Sequence, residues 1–116
     1  MMLVIDRPRW YRGRDYSSLI VADGQMCCLG FYLKELGATD DQIRGVDMPE
    51  TLADCNELPA DAGWLVERGA GGEYCFNSQA CTDLARVNDA QDLTDEAREQ
   101  LITGMFAKHG VEVTFR

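Results

Sequence analysis

The chain has 116 residues, of which 46% are hydrophobic and 27% are charged; this length and balance predict one soluble domain with a single modest core and exclude a disordered chain. Its net charge of −9 disfavours direct binding to nucleic acid or to an anionic membrane surface, and it favours basic protein partners. No apolar stretch approaches the roughly 18 residues that span a bilayer and no secretory signal is recognisable, so we expect a cytoplasmic protein.

The charge is distributed unevenly along the chain. Residues 1–14 contain four arginines and one aspartate, a local charge of +3, so residues 15–116 together carry −12. Most of the acidic excess lies in two segments, since residues 40–61 have a net charge of −6 and residues 83–99 have a net charge of −4. A basic, aromatic segment therefore precedes an acidic body, and this pattern favours surface recognition over catalysis.

The first part of the chain predicts two short strands. An apolar run at residues 3–5 predicts a strand whose length Pro8 limits, because proline cannot donate to a sheet. A second β-leaning run at residues 19–22 is followed by the turn pair Asp23-Gly24 and is expected to be a strand as well.

Two helices are predicted next. A helix over residues 25–36, followed by Gly37 at its C-terminal end, is expected because apolar side chains recur there at helical spacing: Met26, Leu29, Leu33 and Leu36. Thr39 and Gln42 have the spacing of a capping box, which predicts a short helix that ends by Gly45. The acidic, proline-containing stretch 46–63 is predicted to be irregular.

Residues 64–77 predict a β-hairpin. Two alternating stretches, residues 64–68 and 73–77, flank a four-residue loop that contains three glycines, and loops of this length commonly join paired strands. Trp64 would lie within the first strand. The following residues, 79–87, predict a short helix.

The C-terminal part predicts a long helix and a final strand. Thr94 has the character of an N-cap and Gly110 ends the helix, whose apolar stripe is Ala97, Leu101, Ile102, Met105 and Phe106. Residues 111–115 alternate and predict a strand. The order of elements predicts a single α+β domain over residues 1–116, with a mostly antiparallel sheet that two main helices cover on one face.

Three segments resemble small acidic proteins of tailed phages and prophages. They are Arg9-Trp10-Tyr11-Arg12-Gly13, Gly24-Gln25-Met26-Cys27-Cys28-Leu29-Gly30-Phe31, and the C-terminal half from Val87-Asn88-Asp89-Ala90 to Phe106-Ala107-Lys108-His109-Gly110-Val111-Glu112-Val113. The likeness covers about half of the chain. It implies a phage or prophage accessory protein in the host-cell cytoplasm, and it transfers no activity and no residue roles, because none is assigned to that group.

The acidic residues form the candidate partner-binding site. They can steer the protein onto a basic surface, such as that of a nuclease or a CRISPR effector. The predicted function is a non-enzymatic inhibitor of a host nucleic-acid-handling defence component, of the anti-CRISPR or anti-restriction type. The alternative is an ordinary solvated surface. The predicted contact residues are Asp40, Asp41, Asp47, Glu50, Asp54, Glu57, Asp61, Asp89, Asp92 and Glu99.

The N-terminal segment is the candidate site for a small anionic ligand or nucleotide. Arginine and aromatic side chains interleave there and could neutralise and stack on such a ligand. The alternative is that the arginines pair with the acidic body while the tryptophan enters the core. The residues concerned are Arg7, Arg9, Trp10, Tyr11 and Arg12.

Five cysteines, an odd number, without a recognisable signal indicate reduced thiols. Cys27 and Cys28 lie near a predicted helix start, where a lowered thiol pKa could create a nucleophile, so a cysteine-dependent enzyme that uses His109 is a further alternative. Buried packing thiols are the simpler interpretation, and His109 is expected to cap carbonyls at its helix end. The cysteines lack the paired short spacing of structural zinc sites, and we expect neither a metal nor a cofactor.

Overall fold

The computed structural model describes residues 1–14, 18–21, 23–69, 71 and 75–116, and within them it has four strands and five α-helices. Two 3-10 turns, Arg7–Arg9 and Ala60–Leu65, complete the regular structure. The elements in chain order are β1 (Met2–Ile5), α1 (Cys28–Glu35), α2 (Asp40–Ile43), α3 (Pro49–Asp54), β2 (Val66–Arg68), β3 (Cys75–Asn77), α4 (Gln79–Asp89), α5 (Asp95–Ala107) and β4 (Glu112–Phe115).

The strands form two small sheets. Strand β1 pairs in parallel with β4, so that Leu3 lies beside Val113, and β2 pairs antiparallel with β3. The α+β class is confirmed, whereas the mostly antiparallel sheet is present only in part, as the β2–β3 hairpin. A parallel pair needs a long crossover connection. Here the connection between the two paired strands comprises almost the whole chain, so no local sequence pattern predicts the pairing.

The helix ends agree well with their sequence signals. Thr39 accepts from the Gln42 amide at 3.2 Å while the Gln42 side chain accepts from the Thr39 amide at 2.9 Å, which confirms the capping box. Thr94 caps α5 through the Ala97 amide at 3.1 Å. Gly37 follows α1 with a φ of 107°, a conformation that favours glycine.

Three of the predicted elements are wrong. The stretch 46–63 is not irregular, because Pro49 begins α3 at the helix position where a missing amide N–H costs least. Trp64 lies in the second 3-10 turn and not in a strand. Ile20 makes only an isolated bridge with Arg44 in place of the expected strand, and Ala22 of that stretch lies outside the described residues.

The buried apolar side chains form one core cluster to which α1, α4, α5 and the β1–β4 sheet all contribute. Gly30 of α1 is packed so closely that a Cβ there would clash with the carbonyl oxygen of Leu19. Ile102 and Phe106 of the predicted stripe on α5 are fully buried, but Leu101 is 44% exposed. The core-facing line on α5 is continued instead by Arg98.

The segment after β1 runs along the ends of other elements. The Arg7 amide donates to the Arg116 carbonyl at 2.7 Å, and the Tyr11 amide donates to the Met26 carbonyl at 2.8 Å. The Gly13 amide then donates to the Asn88 carbonyl at 2.8 Å. The basic N-terminal residues are therefore held between β4, the start of α1 and the end of α4.

Candidate functional site

The acidic residues of segment 40–61 lie mostly on the surface. Asp40 is paired with Lys34 at 2.6 Å, and this contact lowers the pKa of the Asp40 carboxyl. Glu50 is half-buried in the first turn of α3, where its amide donates to the Asn77 side chain at 3.1 Å. The remaining acidic side chains of the segment are exposed: Asp41, Asp47, Asp54, Glu57 and Asp61.

The second acidic segment, 83–99, is in contact with arginines. Arg7 binds Glu99 in a bidentate pair with N–O distances of 2.9 and 2.7 Å, and Arg12 binds Asp95 at 3.0 Å. The Arg12 hydrogen bond lowers the pKa of Asp95, and the Glu99 contact raises the pKa of Arg7. Two of the four N-terminal arginines thus neutralise acidic residues of α5.

Of the other predicted contact residues in segment 83–99, Asp92 is exposed and Asp89 is half-buried. The Asp89 carboxylate accepts from the Asn88 side-chain amide at 3.0 Å. Asp89 and Glu99 therefore already have partners within the chain, and Asp92 is the most accessible of the three.

Asn88 is the centre of a buried hydrogen-bond network that the sequence interpretation missed. Its side-chain oxygen accepts from the Trp10 indole at 2.8 Å and from the Cys28 amide at 3.0 Å. Its side-chain nitrogen donates to the Tyr11 carbonyl at 3.0 Å. One fully buried side chain therefore joins the N-terminal segment, the first turn of α1 and the end of α4.

Arg98 is a second buried polar side chain that bonds to several backbone carbonyls in this region. This arginine is only 2% exposed, and its guanidinium donates to the Val87 carbonyl at 2.7 Å and to the Leu93 carbonyl at 3.1 Å. It also donates to the Asn88 carbonyl at 3.1 Å. The bonds to Val87 and Asn88 satisfy carbonyls at the end of α4, where intrahelical partners are lacking.

The N-terminal arginines also line a cleft of about 340 Å³. Four of the five predicted ligand residues are brought together there, and Arg9 is not among them. Arg9 is exposed and lies outside the lining of this cleft. The cleft is lined by Arg7, Pro8, Trp10, Tyr11, Arg12, Arg14, Gln25 and Asp95.

Cation–aromatic contacts shape this cleft. Arg12 lies over the Trp10 ring at 4.6 Å, and Arg14 lies over the Tyr11 ring at 5.8 Å. Trp10 itself is only 2% exposed. The Nε atom of Arg12 is buried and has no hydrogen-bond partner among the described residues. The cleft therefore offers guanidinium groups to a ligand, while the tryptophan belongs to the core.

The cysteine cluster has the properties of packing thiols. Cys27 and Cys28 are buried, and burial raises the pKa of Cys27 to about 11 and that of Cys28 well above its usual value. Burial likewise raises the pKa of Cys81 to about 12. A thiol in this state is protonated at neutral pH and is a poor nucleophile.

The ring of His109, the one candidate base for a cysteine nucleophile, packs on an aromatic side chain. It lies just beyond the end of α5 and stacks on the Trp64 ring, with centroids 3.9 Å apart and an angle of 10° between the planes. Trp64 in turn donates to the Tyr32 hydroxyl at 2.8 Å. The expected carbonyl-capping role of His109 is wrong, because its ring packs on an aromatic cluster.

In the part of the chain that the structure describes, no group of His, Cys, Asp and Glu side chains is arranged to hold a metal ion. The described helices include none that is long and apolar enough to cross a bilayer. Comparisons with protein-family models, curated proteins and solved structures give no significant match. What the chain binds must therefore be inferred from its surface and its cleft.

Proposed function

We propose that the chain is a non-enzymatic accessory protein of phage or prophage origin that binds a basic surface of a host nucleic-acid-handling protein through segment 40–61. One observation carries the proposal. Five carboxylates of this segment are exposed and enter none of the ion pairs found among the described residues. They are Asp41, Asp47, Asp54, Glu57 and Asp61.

The proposed mechanism is steric occlusion guided by electrostatic attraction. Exposed charges at the rim of an interface mainly increase the association rate and fix the orientation of the partners. Their contribution is screened over a Debye length of about 8 Å at physiological ionic strength. Binding to a nuclease or a CRISPR effector should therefore weaken steeply as the salt concentration rises.

A capture experiment with two matched variants tests this proposal. The 40–61 variant carries Asp54→Asn, Glu57→Gln and Asp61→Asn, and the 83–99 variant carries Asp83→Asn, Asp92→Asn and Glu96→Gln. Both remove three negative charges. Tagged wild-type protein and both variants are incubated with bacterial lysate at low and at high salt, and the retained proteins are identified by mass spectrometry.

We expect a basic nucleic-acid enzyme to be retained by the wild type and the 83–99 variant at low salt. It should be lost from the 40–61 variant, and from all three proteins at high salt. If retention of the enzyme does not depend on the salt concentration, or is equal for the two variants, the electrostatic mechanism is contradicted.

A second candidate function, capture of a small anionic ligand, is favoured by the cleft around Arg12. Three arginines and Tyr11 line it together with Asp95, and Arg14 is exposed there. Guanidinium groups bind phosphates with good geometry. Titration calorimetry with inorganic phosphate and with ATP tests this function.

Arg14→Ala should abolish the heat of binding, because Arg14 lines the cleft and can reach a ligand. Arg9→Ala is the matched control, since it removes the same charge from a neighbouring position outside the cleft. Equal losses in the two variants, or no heat with the wild type, would exclude this candidate.

A further inference from the structure

The outer edge of strand β4 has backbone groups that no described residue pairs with. At the ends of the β1–β4 ladder, the Glu112 amide donates to the Met1 carbonyl at 2.9 Å and the Arg116 amide donates to the Ile5 carbonyl at 3.0 Å. Because hydrogen-bonding direction alternates along a strand, the backbone groups of Val113 and Phe115 point away from β1. Within the described residues no hydrogen bond reaches them.

The sequence of this strand is complementary to itself. If two copies of β4 pair antiparallel with Thr114 opposite Thr114, then Glu112 of each copy lies opposite Arg116 of the other. Val113 then lies opposite Phe115 of the second copy. Opposite charges, paired threonines, and an aromatic ring beside a β-branched side chain are all favourable cross-strand neighbours.

The hydrogen-bonding pattern agrees with this alignment. Val113 and Phe115 are the residues whose backbone groups point outward, and they become the hydrogen-bonded pairs of the new ladder. A shift by one residue would place an inward-pointing residue at these positions and would also separate Glu112 from Arg116. Charge pairing and backbone geometry therefore select the same register.

The side chains of β4 are already placed for such pairing. Those of Glu112, Thr114 and Arg116 are exposed, whereas Val113 and Phe115 are half-buried. Phe115 packs on Trp10 with ring centroids 5.0 Å apart. Pairing along the edge would leave these core contacts intact.

The local charge also favours this edge over others. A chain of net charge −9 repels its own copies, so self-association needs a site where the acidic excess is absent. Beside β4, Glu112 is balanced by Arg116, and Arg7 is balanced by Glu99. Strand β1 has no basic residue within Met2–Ile5, so pairing of that strand with itself would form no ion pair.

We propose that β4 is a homodimerisation strand. Two copies pair their β4 strands antiparallel about a two-fold axis, and the two β1–β4 sheets become one four-stranded sheet in the order β1-β4-β4-β1. The proposal does not rest on the proposed function. A monomeric result would leave the binding role of segment 40–61 untouched.

Charge exchange tests the proposal by sedimentation equilibrium of the full chain at physiological ionic strength. Wild-type protein should form dimers as its concentration is raised. Glu112→Arg and Arg116→Glu should each raise the dimer dissociation constant at least about tenfold, because each places like charges opposite one another. An equimolar mixture of the two variants should form heterodimers, because opposite charges then face each other again.

Glu96→Arg is the matched control for a charge reversal, since this exposed residue lies on α5 and is not part of the strand. It should dimerise at least as well as the wild type. Circular dichroism checks that every variant is folded. The proposal is overturned if the wild type stays monomeric at the highest concentration reached, or if its dimer is unaffected by either charge reversal in β4.

Discussion

The two acidic segments of this protein look alike in composition and differ in what surrounds them. Segment 83–99 has a net charge of −4, which becomes −2 when Arg7 and Arg12, the arginines that contact it from the N-terminus, are included. Segment 40–61 has a net charge of −6, which becomes −5 with Lys34. Segment 83–99 is therefore in part a docking site for the chain's own N-terminus.

This difference shows that the net charge of a segment does not by itself define a binding surface. What decides its availability is whether cations from elsewhere in the chain reach it. Arg7 and Arg12 bind acidic residues of α5. The segment that carries them is anchored by the hydrogen bond from Trp10 to Asn88. The largest share of the molecule's net charge of −9 is left on segment 40–61.

The largest expected effect comes from breaking the anchor of the N-terminal segment. Asn88→Ala leaves the buried Trp10 indole and Cys28 amide without acceptors, and should lower the free energy of unfolding by about 3 kcal/mol. Urea denaturation measures the change. Gln91→Ala, at an exposed position nearby, should change it by less than about 0.5 kcal/mol. Equal effects of the two substitutions would show that the network does not hold the segment.

The cysteines allow the two regions to be compared by chemical labelling, because one cysteine is exposed near the end of α3 and others are buried next to the N-terminal segment. Cys55 is exposed, whereas Cys27 and Cys28 are buried with raised pKa values. Native-state labelling with iodoacetamide, read by mass spectrometry, should modify Cys55 at least about 100-fold faster than Cys27 or Cys28. Denaturant should remove the difference. Preferential labelling of Cys27 or Cys28 would instead support the cysteine-dependent alternative.

A smaller effect is expected from the ion pair between Arg12 and Asp95. Because the folded-state pKa of Asp95 is lowered, the pair stabilises the protein above the unfolded carboxyl pKa of about 3.9, and the stabilisation is lost as the pH falls through the folded value. Both groups are partly exposed, so the loss should stay below about 1 kcal/mol.

Asp95→Asn and Arg12→Gln should each flatten this acid-side fall in stability, measured by urea denaturation between neutral pH and the acid range. If both variants lose stability on acidification as steeply as the wild type, the pair does not contribute. High salt should also reduce the difference between wild type and variants, because exposed pairs are screened.

The smallest effect on stability is expected from the 40–61 variant. Its three substituted side chains are exposed and belong to none of the described ion pairs. Removing like charges should leave the unfolding free energy within about 0.5 kcal/mol of wild type, as thermal and urea denaturation can show. A loss of several times that size would mean that these carboxylates support the fold.

Structural features that depend only on residues close together in the sequence are predicted correctly. The caps at Thr39 and Thr94 and the glycine at position 37 act within one turn of a helix, so composition and spacing predict them. The proline-containing stretch 46–63 is predicted to be irregular, although a proline such as Pro49 also fits the first turn of a helix. Whether a proline interrupts a helix or begins one depends on the residues that surround it in the folded chain.

Long-range contacts explain the remaining errors. The pairing of β1 with β4, and the exclusion of Arg9 from the cleft, depend on chain segments that are far apart in sequence. The sequence does contain a signal for the role of Asn88. Asn88 follows Cys81 and Leu84 on the buried face of α4, and a polar residue in such a line needs buried partners.

Anion-exchange chromatography of the matched variants tests the central claim most directly. The 40–61 and 83–99 variants have the same net charge, so they differ only in which acidic segment remains available to a cationic surface. We predict that the 40–61 variant elutes at a clearly lower salt concentration than the 83–99 variant. Elution of both at the same salt concentration, or in the reverse order, would contradict the claim that segment 40–61 carries the largest share of the protein's uncompensated charge.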